Sequence, residues 1–276
     1  MRAPLVERIA ARQSVIGEGL MIRRALPSPG RRMIGAWCFL DHAGPMHYGP
    51  NEGLQVGPHP HIGLQTFTWM IEGQVMHRDS LGYEQIIRPQ QVNLMTAGRG
   101  IVHAEDAVDN QPGTLHAAQL WIALPDAERH REPAFDHYPE LPTVTLDNFC
   151  FTVLAGDYMG KTSPVKLYSP LLGLDITTSG AANTHLSLQP EFEYGALVLR
   201  GQACIAGEPL SPCTLLYLGS QRDQLSLTCD AECQILLLGG EPFQEDILVW
   251  WNFVARTQAE IELATTQWNQ GHFLVR

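Results

Sequence analysis

The stretch from Pro58 to Asp106 decides the fold, because it opens with Pro58-His59-Pro60-His61 and closes with His103-Ala104-Glu105-Asp106. A β-strand sends alternate side chains to one face, so the two residues of each pair, two apart in sequence, can point the same way. Their Cα atoms lie roughly 6.6 Å apart. Imidazole and carboxylate side chains can then converge on one ion with bonds of about 2.0–2.2 Å. The pattern predicts two strands that bring a His₃Glu metal site together inside a β-barrel.

The residues between the two pairs read as strands separated by turns. Gln65 to Ile71 is rich in β-branched and aromatic residues, and Gly73 and Gly98-Arg99-Gly100 mark turns. This spacing lets a meander bring two non-adjacent strands face to face. The odd register shared by His59, His61 and the odd residues of Gln65 to Ile71 predicts that the metal pair faces a hydrophobic core.

The rest of the chain repeats this rhythm of short strands with turns every 8–12 residues or so, which is typical of sandwiches and barrels. A polar, proline-containing stretch interrupts it around residues 126–148. We therefore expect an all-β protein of two consecutive β-barrels of the jelly-roll type. The predicted boundaries are a metal-binding domain over 1–130, a linker over 131–148, and a second domain over 149–276 that includes a C-terminal helix.

The helix is predicted from the pattern between Gln258 and Trp268, where apolar residues recur at helical spacing. Thr257 precedes it, and Glu260 follows three residues later, as in a capping box. Gly271 lies just past the expected end, where helices often stop. Such a helix would cover an apolar barrel face.

Composition excludes several classes of partner. The formal net charge is −11 and no Lys/Arg-rich run occurs, which argues against direct binding of nucleic acid or anionic membranes. No segment reaches the roughly 18 apolar residues that span a bilayer. The six cysteines form no CxxC pair, which favours reduced, buried thiols and a cytoplasmic location.

The expected ligand set also limits the metal. Three imidazoles and a carboxylate suit Fe, Mn, Co, Ni, Cu or Zn, and not Ca or Mg. No cysteine lies in the motif, which lowers the case for structural zinc. Four protein ligands leave two positions open on an octahedral divalent ion, which favours catalysis over a structural role.

Three longer motifs resemble those of the pirins, a bicupin family of the cupin superfamily. They are Pro58-His59-Pro60-His61-Ile62-Gly63, the run Glu72 to Ser80, and the run Met95 to Glu105. The segment Leu40 to Pro45 and the tail around Trp251 to Val254 are similar too, so the resemblance spans nearly the whole chain.

The resemblance implies one iron in the N-terminal cupin, held at positions that fall on His59, His61, His103 and Glu105. It also implies quercetin 2,3-dioxygenase activity on a small aromatic, flavonol-like substrate with O₂, and a second cupin without metal. Many pirins have Arg and Glu where this chain has Ile62 and Gln65. That departure bears on substrate preference more than on metal binding.

Glu105 is the candidate catalytic residue, because a carboxylate beside the metal can accept the hydroxyl proton of a flavonol.

A second hypothesis for the function is a redox-sensing protein in which the metal's oxidation state alters the affinity of a protein partner. A third is a cupin with isomerase or hydrolytic activity, or with none. His77 is a candidate partner of a metal ligand, His42 and His47 are candidates for the mouth of the site, and packing roles are expected for His116, Cys229, Cys233, Trp250, Trp251 and Phe253.

Overall fold

The computed structural model describes residues 6–17, 19–108 and 111–272, whose regular secondary structure consists of β-strands and one helix. The first strands are β1 (Glu7–Ala10), β2 (Arg12–Ile16), β3 (Leu20–Leu26), β4 (Trp37–Tyr48), β5 (Gln55–His61), β6 (Leu64–Glu72), β7 (Val75–Asp79), β8 (Glu84–Ile87), β9 (Val92–Thr96), β10 (Ile101–Ala107), β11 (Gly113–Ala123), β12 (Ala134–Tyr138) and β13 (Thr143–Leu146). The others are β14 (Phe149–Ala155), β15 (Asp157–Tyr158), β16 (Lys161–Thr162), β17 (Leu171–Thr178), β18 (Ala182–Ser187), β19 (Glu193–Arg200), β20 (Ala203–Ile205), β21 (Glu208–Leu210), β22 (Thr214–Gly219), β23 (Gln224–Cys229), β24 (Cys233–Gly240), β25 (Leu248–Trp250) and β26 (Phe253–Ala255), followed by helix α1 (Gln258–Asn269).

The chain forms two compact units, and among the described residues each has a seven-stranded, a four-stranded and a two-stranded sheet. The first unit comprises Gln13–Ile22, Leu40–Glu140 and the stretch from Gln244 onward. Its sheets have the orders β12-β9-β6-β11-β4-β3-β2, β5-β10-β7-β8 and β25-β26. The predicted all-β fold of two barrels is confirmed.

The second unit comprises the stretch up to Arg12, Arg23–Phe39 and Leu141–Phe243. Its sheets have the orders β1-β22-β19-β24-β17-β14-β13, β18-β23-β20-β21 and β15-β16. A cluster of 25 buried apolar residues, drawn from both larger sheets, fills it. In the first unit, one cluster of buried apolar residues comprises Ile22, Ala43, Leu54, Met70, Val75, Ile87, Leu115 and Ala117.

The predicted domain boundaries differ from these units at both ends of the chain. Strand β1 pairs with β22 of the second unit, whereas the tail from Gln244 belongs to the first. The expected linker is not a linker, since it holds β12, which pairs with β9, and β13, which pairs with β14. Prolines and charges signal a break there, but Ala134–Tyr138 still alternates, and strand pairing decides its place.

Helix α1 begins and ends as its capping pattern predicts. The Thr257 hydroxyl accepts a hydrogen bond from the Glu260 amide at 3.3 Å. At the other end Gly271 has φ +74°, and the amides of Gly271 and His272 donate to the carbonyls of Trp268 and Gln267, which is a Schellman motif. The buried face of α1, Ile261 and Ala264, packs in a cluster with Val102, Phe253 and Ala255. The helix therefore covers the first unit, not the domain to which its sequence position assigned it.

No helix in the described part of the chain is long and apolar enough to cross a membrane.

Candidate metal centre

The site is built on one face of the four-stranded sheet of the first unit. His103 on β10 lies opposite His59 on β5, and on its other side opposite Asp79 on β7. Glu105 lies opposite His77. Directly opposed residues of an antiparallel pair project to the same face. The sheet therefore presents three histidines from β5 and β10 together with a His77–Asp79 pair from β7.

The imidazoles of His59, His61 and His103 converge. Their ring centroids are 4.3 to 5.0 Å apart, and one nitrogen of each lies within 4.8 Å of the others. The Nε2 atoms of His61 and His103 are separated by 3.1 Å. Two nitrogens in adjacent positions of an octahedral ion, each bonded at about 2.1 Å, would be about 3.0 Å apart. The spacing of the triad matches that of ligands sharing one ion.

Each histidine uses its other ring nitrogen to contact an outer partner. His59 Nδ1 lies 2.9 Å from the Gly57 carbonyl oxygen, and His61 Nδ1 lies 2.9 Å from that of Asn252. A carbonyl only accepts, so these Nδ1 atoms carry the proton and the Nε2 atoms are bare in the neutral imidazole. His103 Nδ1 lies 3.4 Å from His77 Nδ1, whose ring is held at Nε2 by the Asp79 carboxylate at 3.0 Å.

Burial keeps the triad neutral. It lowers the pKa of His61 and His103 well below the usual value and lowers the pKa of His59 less strongly, while the Gly57 carbonyl raises the pKa of His59 and the Asn252 carbonyl raises that of His61. The neighbouring imidazoles lower these pKa values further. The Nε2 atoms of His61 and His103, 3.1 Å apart, are close enough to bind one cation together. The donor set therefore fits a single metal ion, and His59, the half-buried member, is the one nearest solvent.

Glu105 lies on the same face as the triad, but the structure leaves it outside the 4.8 Å cluster. Its side chain is half-buried. Burial raises the pKa of its carboxyl, His77 lowers that pKa, and Asp106 raises it again. The Glu105 carboxyl can therefore hold a proton beside the triad while Glu105 keeps its place on β10.

The wall beside the triad combines one tryptophan with polar side chains, and is not the apolar face of Gln65 to Ile71 that the register argument predicted. Trp121 on β11 packs edge-on against the His61 ring at 5.1 Å. Trp121 is paired with Thr66, and Gln119 with Thr68, whose hydroxyl donates to Gln119 Oε1 at 2.7 Å. The even residues of β6 therefore face His61. The odd-register prediction is wrong because the chain turns at Gly63, φ +70°, so that β5 and β6 belong to different sheets and parity does not carry across.

The other polar residues named from the sequence, and His185 of the second unit, lie elsewhere. His42 and His116 are fully buried, with their Nε2 atoms 2.8 Å apart, and His47 is exposed near the end of β4. The buried Gln65 side chain donates to Thr96 Oγ1 at 3.0 Å. His185 is exposed on β18 of the second unit.

Sequence reasoning missed two contributors. Asp79 shares the alternation of His77 and could have been found by extending that register by two residues. Asn252 could not, because it acts through its backbone carbonyl and lies 191 residues from His61. It is placed by the β25–β26 hairpin, whose strand β26 contacts Ile62: the two segments form a bridge at Phe253, and the Val254 amide donates to the Ile62 carbonyl at 3.1 Å.

Two β-barrels in one chain, the first with inward histidines on adjacent strands, define a bicupin. The pirin family model matches residues 19–122, and the model of the pirin C-terminal cupin domain matches residues 173–274. This chain belongs to the pirin family.

Relatives of the chain support this assignment over nearly its full length. A protein of Pseudomonas aeruginosa, provisionally named a quercetin 2,3-dioxygenase, is 53% identical over 267 residues, which cover 97% of this chain and 84% of that protein. A pirin-like protein of Caulobacter vibrioides is 33% identical over 257 residues, covering 91% and 88%.

Solved structures agree in fold. The quercetin 2,3-dioxygenase from Acinetobacter baumannii superposes with a TM-score of 0.95 at 51% identity, covering 96% of this chain and 89% of that one. The bacterial pirin YhhW of Escherichia coli, solved in complex with nickel(II), superposes with a TM-score of 0.70 at 19% identity, covering 86% and 100%, and supports the fold alone. In sequence and fold the chain is quercetinase-like.

Proposed function

We propose that this chain is a metal-dependent dioxygenase that opens the ring of a flavonol such as quercetin with O₂. The observation that carries the proposal is the buried histidine triad, in which one ring nitrogen of each residue lies within 4.8 Å of the others and the Nε2 atoms of His61 and His103 are 3.1 Å apart. The names of the relatives in Pseudomonas and Acinetobacter support the flavonol class. The metal we propose is Fe(II), held by His59, His61 and His103, with Glu105 as a fourth ligand or a base.

When bound, the ion supplies Lewis acidity that lowers the pKa of a coordinated hydroxyl group. The chain's own residues supply the rest. Glu105, whose carboxyl pKa is raised by burial, is suited to take the 3-hydroxyl proton of a flavonol and hold it. The Trp121 ring and the Thr68–Gln119 pair give the wall one flat apolar surface and polar groups for the ring hydroxyls. The overall change adds both atoms of O₂ to the flavonol and releases one ring carbon as carbon monoxide.

The test starts with elemental analysis of the purified protein and anaerobic loading with one equivalent of Fe(II). Quercetin is then added in air, and both its long-wavelength absorbance and oxygen uptake are followed. We expect the His59→Ala variant to lose metal and turnover. His59 is half-buried, so this variant disturbs packing least among the three ligands.

The matched control is His185→Ala, which removes an exposed histidine from the second unit and should retain both metal and turnover. Turnover that is equally fast in the wild type and in His59→Ala would contradict the dioxygenase assignment. Stoichiometric metal binding without turnover would instead leave a metal-binding regulatory protein as the function.

A further inference from the structure

The Asp79 side chain, at the end of β7, is a fully buried carboxylate whose oxygens contact two backbone amides and the His77 ring. Its side chain is 0% exposed. Oδ1 accepts the backbone amides of Leu81 at 2.9 Å and Tyr83 at 3.2 Å, and Oδ2 lies 3.0 Å from His77 Nε2. A buried carboxylate is costly unless its oxygens are satisfied. Here the two backbone bonds fix which oxygen faces the imidazole.

His77 transmits that orientation. The Asp79 carboxylate can only accept, so His77 Nε2 carries the proton, and in the neutral ring Nδ1 is then an acceptor. Phe135 stacks on the imidazole at 4.3 Å with an interplanar angle of 16°, which holds its plane. His77 Nδ1 lies 3.4 Å from His103 Nδ1. The hydrogen bonds then run in one direction, from His103 to His77 to Asp79.

We propose that Asp79, acting through His77, is the positioning residue that fixes His103 as its Nδ1–H tautomer and so leaves His103 Nε2 bare for the metal. The proposal rests on the proposed metal site and adds what determines its donor. His59 and His61 obtain the same tautomer from backbone carbonyls, whereas His103 obtains it from a side chain, which a substitution can change.

The variant Asp79→Asn reverses the chain of donors. The amides of Leu81 and Tyr83 need an acceptor, so the Asn oxygen takes the place of Oδ1 and its NH₂ group faces His77 Nε2. His77 must then accept at Nε2 and carry its proton at Nδ1. That proton points at His103 Nδ1, which becomes an acceptor and moves its own proton to Nε2, the metal-binding atom.

Two measurements test this in the full chain. Nitrogen-15 shifts of the histidine rings in metal-free protein, with His103 assigned from a His103→Gln variant, distinguish Nδ1–H, Nε2–H and doubly protonated rings. Competition with a chelator measures the affinity for Co(II). We expect His103 to be Nδ1–H in the wild type and Nε2–H in Asp79→Asn, with a 10–100-fold loss of Co(II) affinity.

The control is Glu84→Gln, which removes a carboxylate from the same sheet that pairs with Arg78 at the surface. It should change neither measurement. If Asp79→Asn does not fold, His77→Phe and His77→Gln replace it. Phe keeps the stacking on Phe135 but offers no acceptor, and should lose affinity. Gln can accept from His103 and donate to Asp79, and should retain it.

The outcomes separate this proposal from the proposed function. An unchanged His103 tautomer in Asp79→Asn together with wild-type Co(II) affinity, or a doubly protonated His77 in the wild type, overturns the positioning role even if the protein turns over quercetin. A tautomer that switches as expected supports that role even if the loaded wild type fails to oxidise any flavonol.

Discussion

At the scale of single residues, the site is organised by which nitrogen of each imidazole carries a proton. Outer partners occupy Nδ1 of His59, His61 and His103, and the remaining nitrogens face one another. An ion that binds the folded chain but not the unfolded chain stabilises the fold by about 2.7 kcal/mol at a concentration of 100 times its Kd.

Glu105 allows the roles of ligand and base to be separated. We expect Glu105→Gln to retain most of its metal, since the triad is intact and Glu105 lies outside the 4.8 Å cluster, but to lose quercetin turnover by 10²–10⁴-fold or so, because an amide cannot accept the proton. Metal content and initial rates on the same sample check this. Loss of metal to the extent seen in His59→Ala would make Glu105 a principal ligand instead.

The sequence contains enough to place the triad but not its support. Alternation on two strands puts His59 with His61 and His103 with Glu105, because the side-chain period is a local property of a strand. The partners Asn252 and Asp79 depend on tertiary contacts and on backbone groups, which leave no residue signature. The same limit explains the wrong register for Gln65 to Ile71, since a turn at a glycine resets parity.

At the scale of elements, the junction between β5 and the tail depends on Gly63. It has φ +70°, and a Cβ there would lie 2.1 Å from the Val254 carbonyl oxygen. We expect Gly63→Ala to push β26 away from Ile62. The cost is about 1–2 kcal/mol for the left-handed backbone and about 1–3 kcal/mol more for the clash, with weaker metal binding because His61 loses the Asn252 carbonyl.

The control for this prediction is Gly160→Ala, since Gly160 has φ +73° and a Cβ at that position would meet nothing within 4 Å. It should show the backbone cost alone and no change in metal affinity. Chemical denaturation and chelator competition on both variants give the comparison. Equal effects of the two substitutions on metal affinity would show that the tail does not hold His61.

Helix α1 is attached through Glu260, whose carboxylate accepts two hydrogen bonds from Arg129 at 2.9 and 3.1 Å and one from the Arg256 amide at 2.9 Å. Burial alone would raise the pKa of Glu260, but these hydrogen bonds lower it below the usual value. Its contribution to stability is therefore present above pH 4.5 or so and is lost as the pH falls through the lowered pKa.

We expect Glu260→Gln to cost about 1–3 kcal/mol at pH 7 and less at pH 3, because the wild type loses the same charge there. Denaturant unfolding at several pH values measures this, and Glu262→Gln, on the exposed side of α1, is the matched control. A penalty that does not change with pH would mean that Glu260 acts by packing and not by charge.

Elements of strong local character were predictable, and those held by distant partners were not. The bounds of α1 follow from Thr257, Glu260 and Gly271, all within the helix or next to it. Strand β12 was hidden in a stretch with three prolines and several charges, because only its pairing with β9 makes it a strand. Only one of the two hydrogen bonds of the predicted capping box forms as expected, from the Glu260 amide to the Thr257 hydroxyl. The Glu260 carboxylate accepts from the Arg256 amide instead of the Thr257 amide.

At the scale of the whole molecule, each of the two units has a seven-stranded, a four-stranded and a two-stranded sheet among the described residues. The count of two barrels was readable from the turn spacing. The sequence did not predict that the first strand joins the second unit and the tail joins the first, because β-strand pairing depends on contacts between residues far apart in sequence. Strand β1 belongs to the second unit and α1 to the first, so boundaries drawn along the sequence cannot separate them.

Two buried tyrosines, Tyr158 and Tyr194, make the stability of the second unit sensitive to alkaline pH. Burial is the main reason that the pKa of Tyr158 and the pKa of Tyr194 are both raised to about 12. Tyr194 raises the pKa of Tyr158 further. For Tyr194, the hydrogen bond with the Gln189 backbone lowers the pKa and the Glu191 carboxylate raises it. Between about pH 10 and 12 the unfolded chain loses these protons and the folded chain keeps them. Stability therefore falls as the pH rises, by up to about 2–3 kcal/mol for each tyrosine.

We expect Tyr158→Phe to flatten this dependence by about one proton between pH 10 and 12. Denaturant unfolding at pH 9, 10, 11 and 12 gives the slope. Tyr83→Phe removes an exposed tyrosine of the first unit and should leave the slope unchanged. A slope that is the same in Tyr158→Phe and in the wild type would show that another group controls alkaline unfolding.

The hairpin that supplies the Asn252 carbonyl has a consequence for biosynthesis. Asn252 follows His61 by 191 residues. At 5–20 residues per second, a ribosome needs roughly 10–40 s to make that stretch. A nascent chain would present its histidines to the cellular ion pool before the segment that orients one of them exists. The orientation of His61, and with it the preference of the site among cations, is therefore set only after the β25–β26 hairpin has been synthesised and has docked.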